Sequence, residues 1–154
     1  MSEPKKLNYF EKKEQNKAHA QQVIRWASNN RRKEVQALSE ATVLMPAPSV
    51  TPEGRVKFEK TEIEVMQCST VDAIIRETEK GARVCALNFA SYKNPGGMFT
   101  DGSMAQEESL CHASLLYPVL CSDRVRSLFY DRHWATDLRI TNLSSILFRR
   151  YEEV

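Results

Sequence analysis

The sequence predicts a three-layer α/β domain with a partial, mixed sheet and an N-terminal helical extension. Three observations carry that expectation: a polar, helix-favouring stretch over 8–30, an alternating segment over 61–66, and a nearly continuous apolar run over 83–90, with a helical pattern between the last two. The chain has 154 residues, 42% of them hydrophobic and 27% charged, the profile of one soluble globular domain. A domain of this size buries roughly 70% of the surface of its unfolded chain, so its core needs no disulfides.

The elements follow in order. Within 8–30, Ala20, Val23, Ile24 and Ala27 share one helix face, and Asn29-Asn30 marks a stop. Arg31-Arg32-Lys33 reads as a solvated edge, because a charge run needs a facing partner before it means binding. Three prolines and a glycine over 45–54 require a loop or extended connector. Thr61, Ile63 and Val65 then alternate with Glu62, Glu64 and Met66 as in a half-buried strand. Ser69 or Thr70 caps the next helix, whose stripe is Val71, Ile74, Ile75 and Thr78 and whose left-handed C-cap is Gly81. The run over 83–90 is expected to be a strand covered on both faces, which closes a right-handed βαβ unit.

A turn-rich stretch over 91–102 leads to a second helix, expected near Ser103, with Ser103 and Gln106 as a capping box. Its buried face is Leu110, Ala113, Leu116 and Tyr117, closed by Pro118. A short helix over 123–130 and a strand over 144–148 complete the reading. Two regions are expected, a helical extension with its Pro-rich loop (1–56) and the α/β part (57–154).

Charge and composition exclude several functions. Lys plus Arg total 22 against 20 Asp plus Glu, a net charge of +2, so direct DNA binding is not expected. Cys68, Cys85, Cys111 and Cys121 contain no C-x-x-C pair, and His19, His112 and His133 lie far apart, so neither a metal nor another cofactor is expected. A polar N-terminal stretch and the lack of any run of about 18 apolar residues point away from a membrane. A reduced, cytoplasmic protein is expected, or a nuclear one if eukaryotic. Asn142-Leu143-Ser144 is then a chance match to the glycosylation pattern.

The segment between the 83–90 run and the next helix holds the candidate chemistry, since open α/β sheets bind ligands at the carboxyl ends of strands. Gly96-Gly97 allows backbone N–H groups to approach an anion, and a helix start favours negative charge, although the pair after Pro95 also reads as an ordinary turn. Glu107 and Glu108 complement a helix dipole, and, being about 100° apart, they take separate tasks. Cys111 and His112 do not face each other on a helix, which argues against a thiolate pair. Phe89, Tyr92 and Phe99 are candidates to stack on a base or to pack in the core, and Trp26 and Trp134 read as packing residues.

Asn88-Phe89-Ala90-Ser91, Asn94-Pro95-Gly96-Gly97, Gln106-Glu107-Glu108 and Leu116-Tyr117-Pro118 together resemble the signature region of the microbial-type poly(ADP-ribose) glycohydrolases, a macro-domain family. Residues 64–77 are similar to the strand and helix that precede that signature. The resemblance implies a macro-domain-like α/β/α fold and metal-free hydrolysis of the ribose–ribose O-glycosidic bond, with release of ADP-ribose. It implies Glu108 as general acid and then base, Glu107 positioning ribose hydroxyls, Asn88 or Ser91 orienting the distal ribose, and Gly96-Gly97-Met98-Phe99 binding the diphosphate, with Asn94 and Gln106 also in the ligand site.

Two departures accompany the resemblance. Met98 stands where the family has a third loop glycine, and the family's domain continues past the length seen here, which implies either a fragment or a shortened form with half a sheet and an open cleft. An exposed strand edge would need covering, with self-association as one way. The implied partners are poly(ADP-ribose), ADP-ribose and ADP-ribosylated proteins. The alternatives are an inactive or truncated ADP-ribose-binding module, and a plain helix start without function at Gln106-Glu107-Glu108.

Overall fold

The computed structural model of the chain describes residues 7–45, 60–135 and 145–147, and these are mostly helical. Helix α1 (Tyr9–Asn30) begins at a capping box in which the Glu11 N–H donates to Asn8 Oδ1 at 2.9 Å and the Asn8 N–H donates to Glu11 Oε2 at 2.8 Å. It ends at the expected Asn pair, and it buries Ala20 and Ala27 fully, with Val23 and Ile24 beside them. Helix α2 (Arg32–Ala41) starts inside the basic cluster read as a solvated edge. Arg31 pairs with Glu34 at 3.0 Å there, while Val35 and Leu38 pack into the core. Strand β1 (Val43–Met45) pairs antiparallel with β2 (Ser145–Leu147), Leu44 opposite Ile146.

The parallel sheet expected over 61–66 and 83–90 does not form among the described residues, whose one ladder is β1–β2. A strand needs a neighbouring strand for its ladder and a cover for its apolar face, and among the described residues neither segment joins a ladder while their large apolar side chains stand exposed. Ile63 and Val65 are almost fully exposed, and Phe89 is 72% exposed. Helix α3 (Thr70–Glu79) lies between these segments, capped by Ser69 through the Asp72 N–H at 3.1 Å and followed by Gly81 at φ +80°. It buries no residue fully. Of the connector expected over 45–54, Met45 ends β1 and the rest lies outside the described residues.

The loop over 91–102 contains a 3-10 turn (Phe99–Asp101), and α4 (Gln106–Ala113), α5 (Leu116–Leu120) and α6 (Asp123–Val125) follow, the last running through a π-helical turn (Arg126–Tyr130) into α7 (Asp131–Ala135). The second helix starts later than expected, and the Ser103–Gln106 box is absent: Ala105 is the N-cap and makes no side-chain cap bond. Gln106 is engaged elsewhere, as described below. Pro118 stands in the first turn of α5, where its missing N–H leaves no bond unmade, so it does not end a helix there.

Two apolar clusters form the core. Val119, Leu120, Val125, Phe129 and Tyr130 make one, against Val35 and Leu38 of α2, and Ala20, Phe99 and Cys111 make the other, with Leu116 packed on both. Helix α1 thereby seats the loop after residue 97: Asn16 Nδ2 donates to the Gly102 carbonyl at 3.1 Å, and His19 Nδ1 meets His112 Nδ1 at 2.8 Å.

That imidazole contact needs one ring to donate and the other to accept, so double protonation breaks it. Burial, and next the neighbouring His19, hold His112 below the ordinary histidine value of 6.5, against the opposing pull of Glu108. Because the folded value is the lower one, the unfolded chain takes the proton first. The stabilisation is complete above 6.5 and is lost as pH falls from there through the folded value. The melting temperature is expected to drop between pH 7.5 and 5.5, and His112→Phe is expected to flatten that drop; an equal slope in both proteins would assign the acid sensitivity elsewhere.

Candidate active site

The site is built where the 83–90 segment, the loop over 91–102 and the start of α4 converge. Glu107 and Glu108 are both buried, and the rotation between adjacent helical positions sends them to different partners. Glu107 accepts the Ser91 N–H at 2.8 Å on Oε2 and the Asn88 side-chain amide at 3.2 Å on Oε1. Glu108 accepts the Met98 N–H at 2.9 Å on Oε1. Burial pushes the Glu107 carboxyl up, and the charge of Glu108 adds to this, while the Ser91 N–H, Asn88 and the Gly96 N–H oppose it.

Gln106, expected as a ligand contact, turns its carboxamide onto the preceding segment. Its Nε2 donates to the Leu87 carbonyl at 2.7 Å, and its Oε1 accepts the Phe89 N–H at 2.9 Å. One side chain thus makes the two bonds that a neighbouring strand residue would make. It holds residues 87–89 extended beside the acids.

The glycines are required by close approach. Gly96 and Gly97 have φ of +71° and +61°, values that L side chains rarely adopt. A Cβ on Gly97 would lie 2.5 Å from Glu108 Oε1, and one on Gly96 would lie 2.6 Å from the Tyr117 ring. The amides expected at a diphosphate have acceptors within the chain: the Gly97 N–H donates to Asn94 at 2.9 Å, the Phe99 N–H donates to Gly96 at 3.1 Å, and the Met98 N–H is on Glu108. Phe99 is fully buried between the rings of His112 and Tyr117, each 4.7 Å away, so of its two readings the core one holds.

Asn88 brings its Oδ1 to the same place, buried and without a partner among the described residues. Ser91 caps the turn by accepting the Asn94 N–H at 3.1 Å. The Met98 side chain is half exposed. Burial, and then the charges of Glu107 and Glu108, push the Cys111 thiol far up, so it stays protonated and is no nucleophile. Among the described residues no group of three or more His, Cys, Asp and Glu side chains could hold a metal ion, and no helix is long and apolar enough to cross a membrane.

Two features have no counterpart in the sequence reading. The His19–His112 contact joins residues 93 apart in sequence and leaves no local pattern. Trp134, expected to pack, is 62% exposed and donates its Nε1–H to the Lys93 carbonyl at 2.9 Å. Trp26 is likewise exposed, with the Arg31 guanidinium 5.4 Å above its ring.

The loop and the helix start thus set a buried acid pair. The family model described as the microbial-type PARG catalytic domain matches residues 7–147, and the chain belongs to that family. The family acts on poly(ADP-ribose) as a glycohydrolase, and membership is consistent with an α/β fold. No curated protein and no solved structure matches the chain.

Proposed function

We propose that this chain hydrolyses the ribose–ribose O-glycosidic bond of poly(ADP-ribose) and releases ADP-ribose. The observation that carries the reading is the buried pair Glu107 and Glu108, each carboxylate aimed by backbone N–H groups of one loop. Glu108 gives a proton to the leaving ribose oxygen as the glycosidic bond breaks. It then takes one from the water that attacks the oxocarbenium-like centre. Glu107, both of whose oxygens accept bonds from the 88–91 segment, positions that segment. The free Asn88 Oδ1 suits a ribose hydroxyl donor, with Ser91 and Asn94 on the same edge.

In this reading the diphosphate lies along the Gly96-Gly97-Met98 lip. Residues 61–66 and 83–90, which join no ladder among the described residues, here take the strand positions of a macro-domain-like three-layer core, with α1 and α2 as its helical extension. The alternation at Ile63 and Val65 and the strand-like bonding at Leu87 and Phe89 support that assignment. ADP-ribosylated proteins are the natural carriers of the substrate, and the free thiols of Cys68 and Cys85 suit a reduced cytoplasm.

A second reading, an ADP-ribose-binding module without turnover, is favoured by the internal acceptors already held by the amides of Gly97, Met98 and Phe99. Incubation with poly(ADP-ribose), with free ADP-ribose followed over time, distinguishes the two. Release is the expected result, whereas ADP-ribose binding by calorimetry with no release would establish the module instead.

Gly97→Ala tests the geometry of the pair. Its positive φ alone costs roughly 1–2 kcal/mol for an L side chain, and the new methyl meets the Glu108 carboxylate. A lower urea midpoint together with lost release is expected; full release from the variant would mean that the acid tolerates displacement.

A further inference from the structure

We propose that Tyr92, Lys93 and Trp134 form a second nucleotide subsite on the lip of the acid pair, which seats an adenine of the polymer on an aromatic face and its phosphates on the Lys93 ammonium. The inference rests on the reading of the chain as acting on poly(ADP-ribose), and it extends that reading from the bond broken to the unit beyond it.

The three side chains are placed together by one hydrogen bond. Trp134 Nε1 donates to the Lys93 carbonyl at 2.9 Å, which ties the indole by its edge, and the residue is 62% exposed. Lys93 Nζ stands 5.2 Å from the Trp134 ring centroid and 5.6 Å from that of Tyr92, itself half exposed. A tryptophan in a core would hide its ring; this one is tied by its edge and largely exposed, with the Lys93 ammonium over it, so stacking a base on it costs little further ordering. The lysine stem is flexible, and its ammonium can leave the rings for a phosphate. Two flat π-surfaces with a cation between them match a purine and its phosphates, and base–aromatic stacking is indifferent to which base is offered.

Position ties the cluster to the acids. Tyr92 and Lys93 follow Ser91, whose N–H is bonded to Glu107 Oε2 at 2.8 Å, and precede Asn94, whose N–H is bonded to Ser91 Oγ at 3.1 Å. A polymer unit with its ribose at Glu108 would carry its neighbour over this surface. Monomeric ADP-ribose carries one adenosine unit, so a molecule held at the acid site has no second unit to place on this surface.

The chain has two tryptophans, so in a Trp26→Phe background the indole emission reports Trp134 alone. Titration with purified ADP-ribose oligomers is expected to quench that emission, and ADP-ribose monomer is expected to do so far less. Lys93→Met should weaken oligomer binding roughly tenfold and reduce its salt dependence. Trp134→Phe, which keeps a ring face but loses the Nε1–H bond, should retain most oligomer affinity, whereas Trp134→Leu should lose roughly tenfold.

Absence of quenching by oligomers overturns the subsite. Equal losses in the Phe and Leu variants also overturn it, because they would make Trp134 a clamp on the loop. Release of ADP-ribose measured on the same protein judges the hydrolase reading separately. Release without a Trp134 response sinks the subsite alone, and a Trp134 response without release supports the subsite while the hydrolase reading fails.

Discussion

Replacing Glu108 by glutamine is expected to lower ADP-ribose release from poly(ADP-ribose) by about 100- to 10,000-fold while leaving the fold intact, the span typical of a positioned acid/base group. Glutamine keeps the length of the side chain and an Oε1 able to accept the Met98 N–H, now held at 2.9 Å, so the loop keeps its anchor. What it lacks is a proton to give and a charge with which to take one back. Calorimetry with ADP-ribose should show binding retained, and the urea midpoint should match that of the wild type. Wild-type rates in Glu108→Gln would move the proton transfers to Glu107, whose carboxyl burial pushes up. If wild type and variant bind ADP-ribose and are equally inert, the chain is a binding module.

Phe99→Ala is expected to produce the largest loss of stability, about 3–5 kcal/mol, as for other fully buried aromatic side chains cut to alanine. The ring is enclosed by His112 at 66° and Tyr117 at 44°, and it packs with Ala20 and Cys111, so α1, α4 and α5 all lose a contact at once. A loss of that size is a large part of the 5–15 kcal/mol by which domains are typically stable. The turn that begins at Phe99 also follows Met98, whose N–H aims Glu108, so release should fall even at temperatures where the variant stays folded. Urea unfolding checks the first effect. A change below about 1 kcal/mol would mean that the cavity refills and that the turn is anchored elsewhere.

Local rules were legible where they had no rival. The stop at Asn29-Asn30, the Ser69 cap and the left-handed Gly81 depend on a few neighbouring residues, and the structure has all three. The β2 strand lies within the segment expected for it. The parallel sheet was not legible in the same sense: alternation at Ile63 and Val65 tells which side chains want covering, and covering needs partners that a pattern does not name. Helix α2 was hidden by its own basic start, although Val35 and Leu38 carry the helical spacing that would have revealed it.

The site was legible as composition and less so as geometry. The acids and glycines stand together as the motif spacing implied, but the amides of the loop turn inward to the chain's own acceptors. Ser103 and Gln106 fit a capping box by spacing, yet the Gln106 carboxamide finds better partners 17 and 19 residues back. Trp134 was unreadable because nothing in its neighbourhood of sequence announces Lys93, 41 residues earlier.

The Gln106 carboxamide sets the tilt between an extended segment and a helix by chemistry, where packing would usually set it by shape. It must give at one end and receive at the other, and the two groups it meets, Leu87 O and Phe89 N–H, are of opposite kind. A carboxylate would repel the first, an ammonium would turn away the second, and an alkyl chain would satisfy neither. The seat of the extended segment on the helix that carries both acids is therefore encoded in a single polarity, one atom of nitrogen and one of oxygen at the tip of their predecessor.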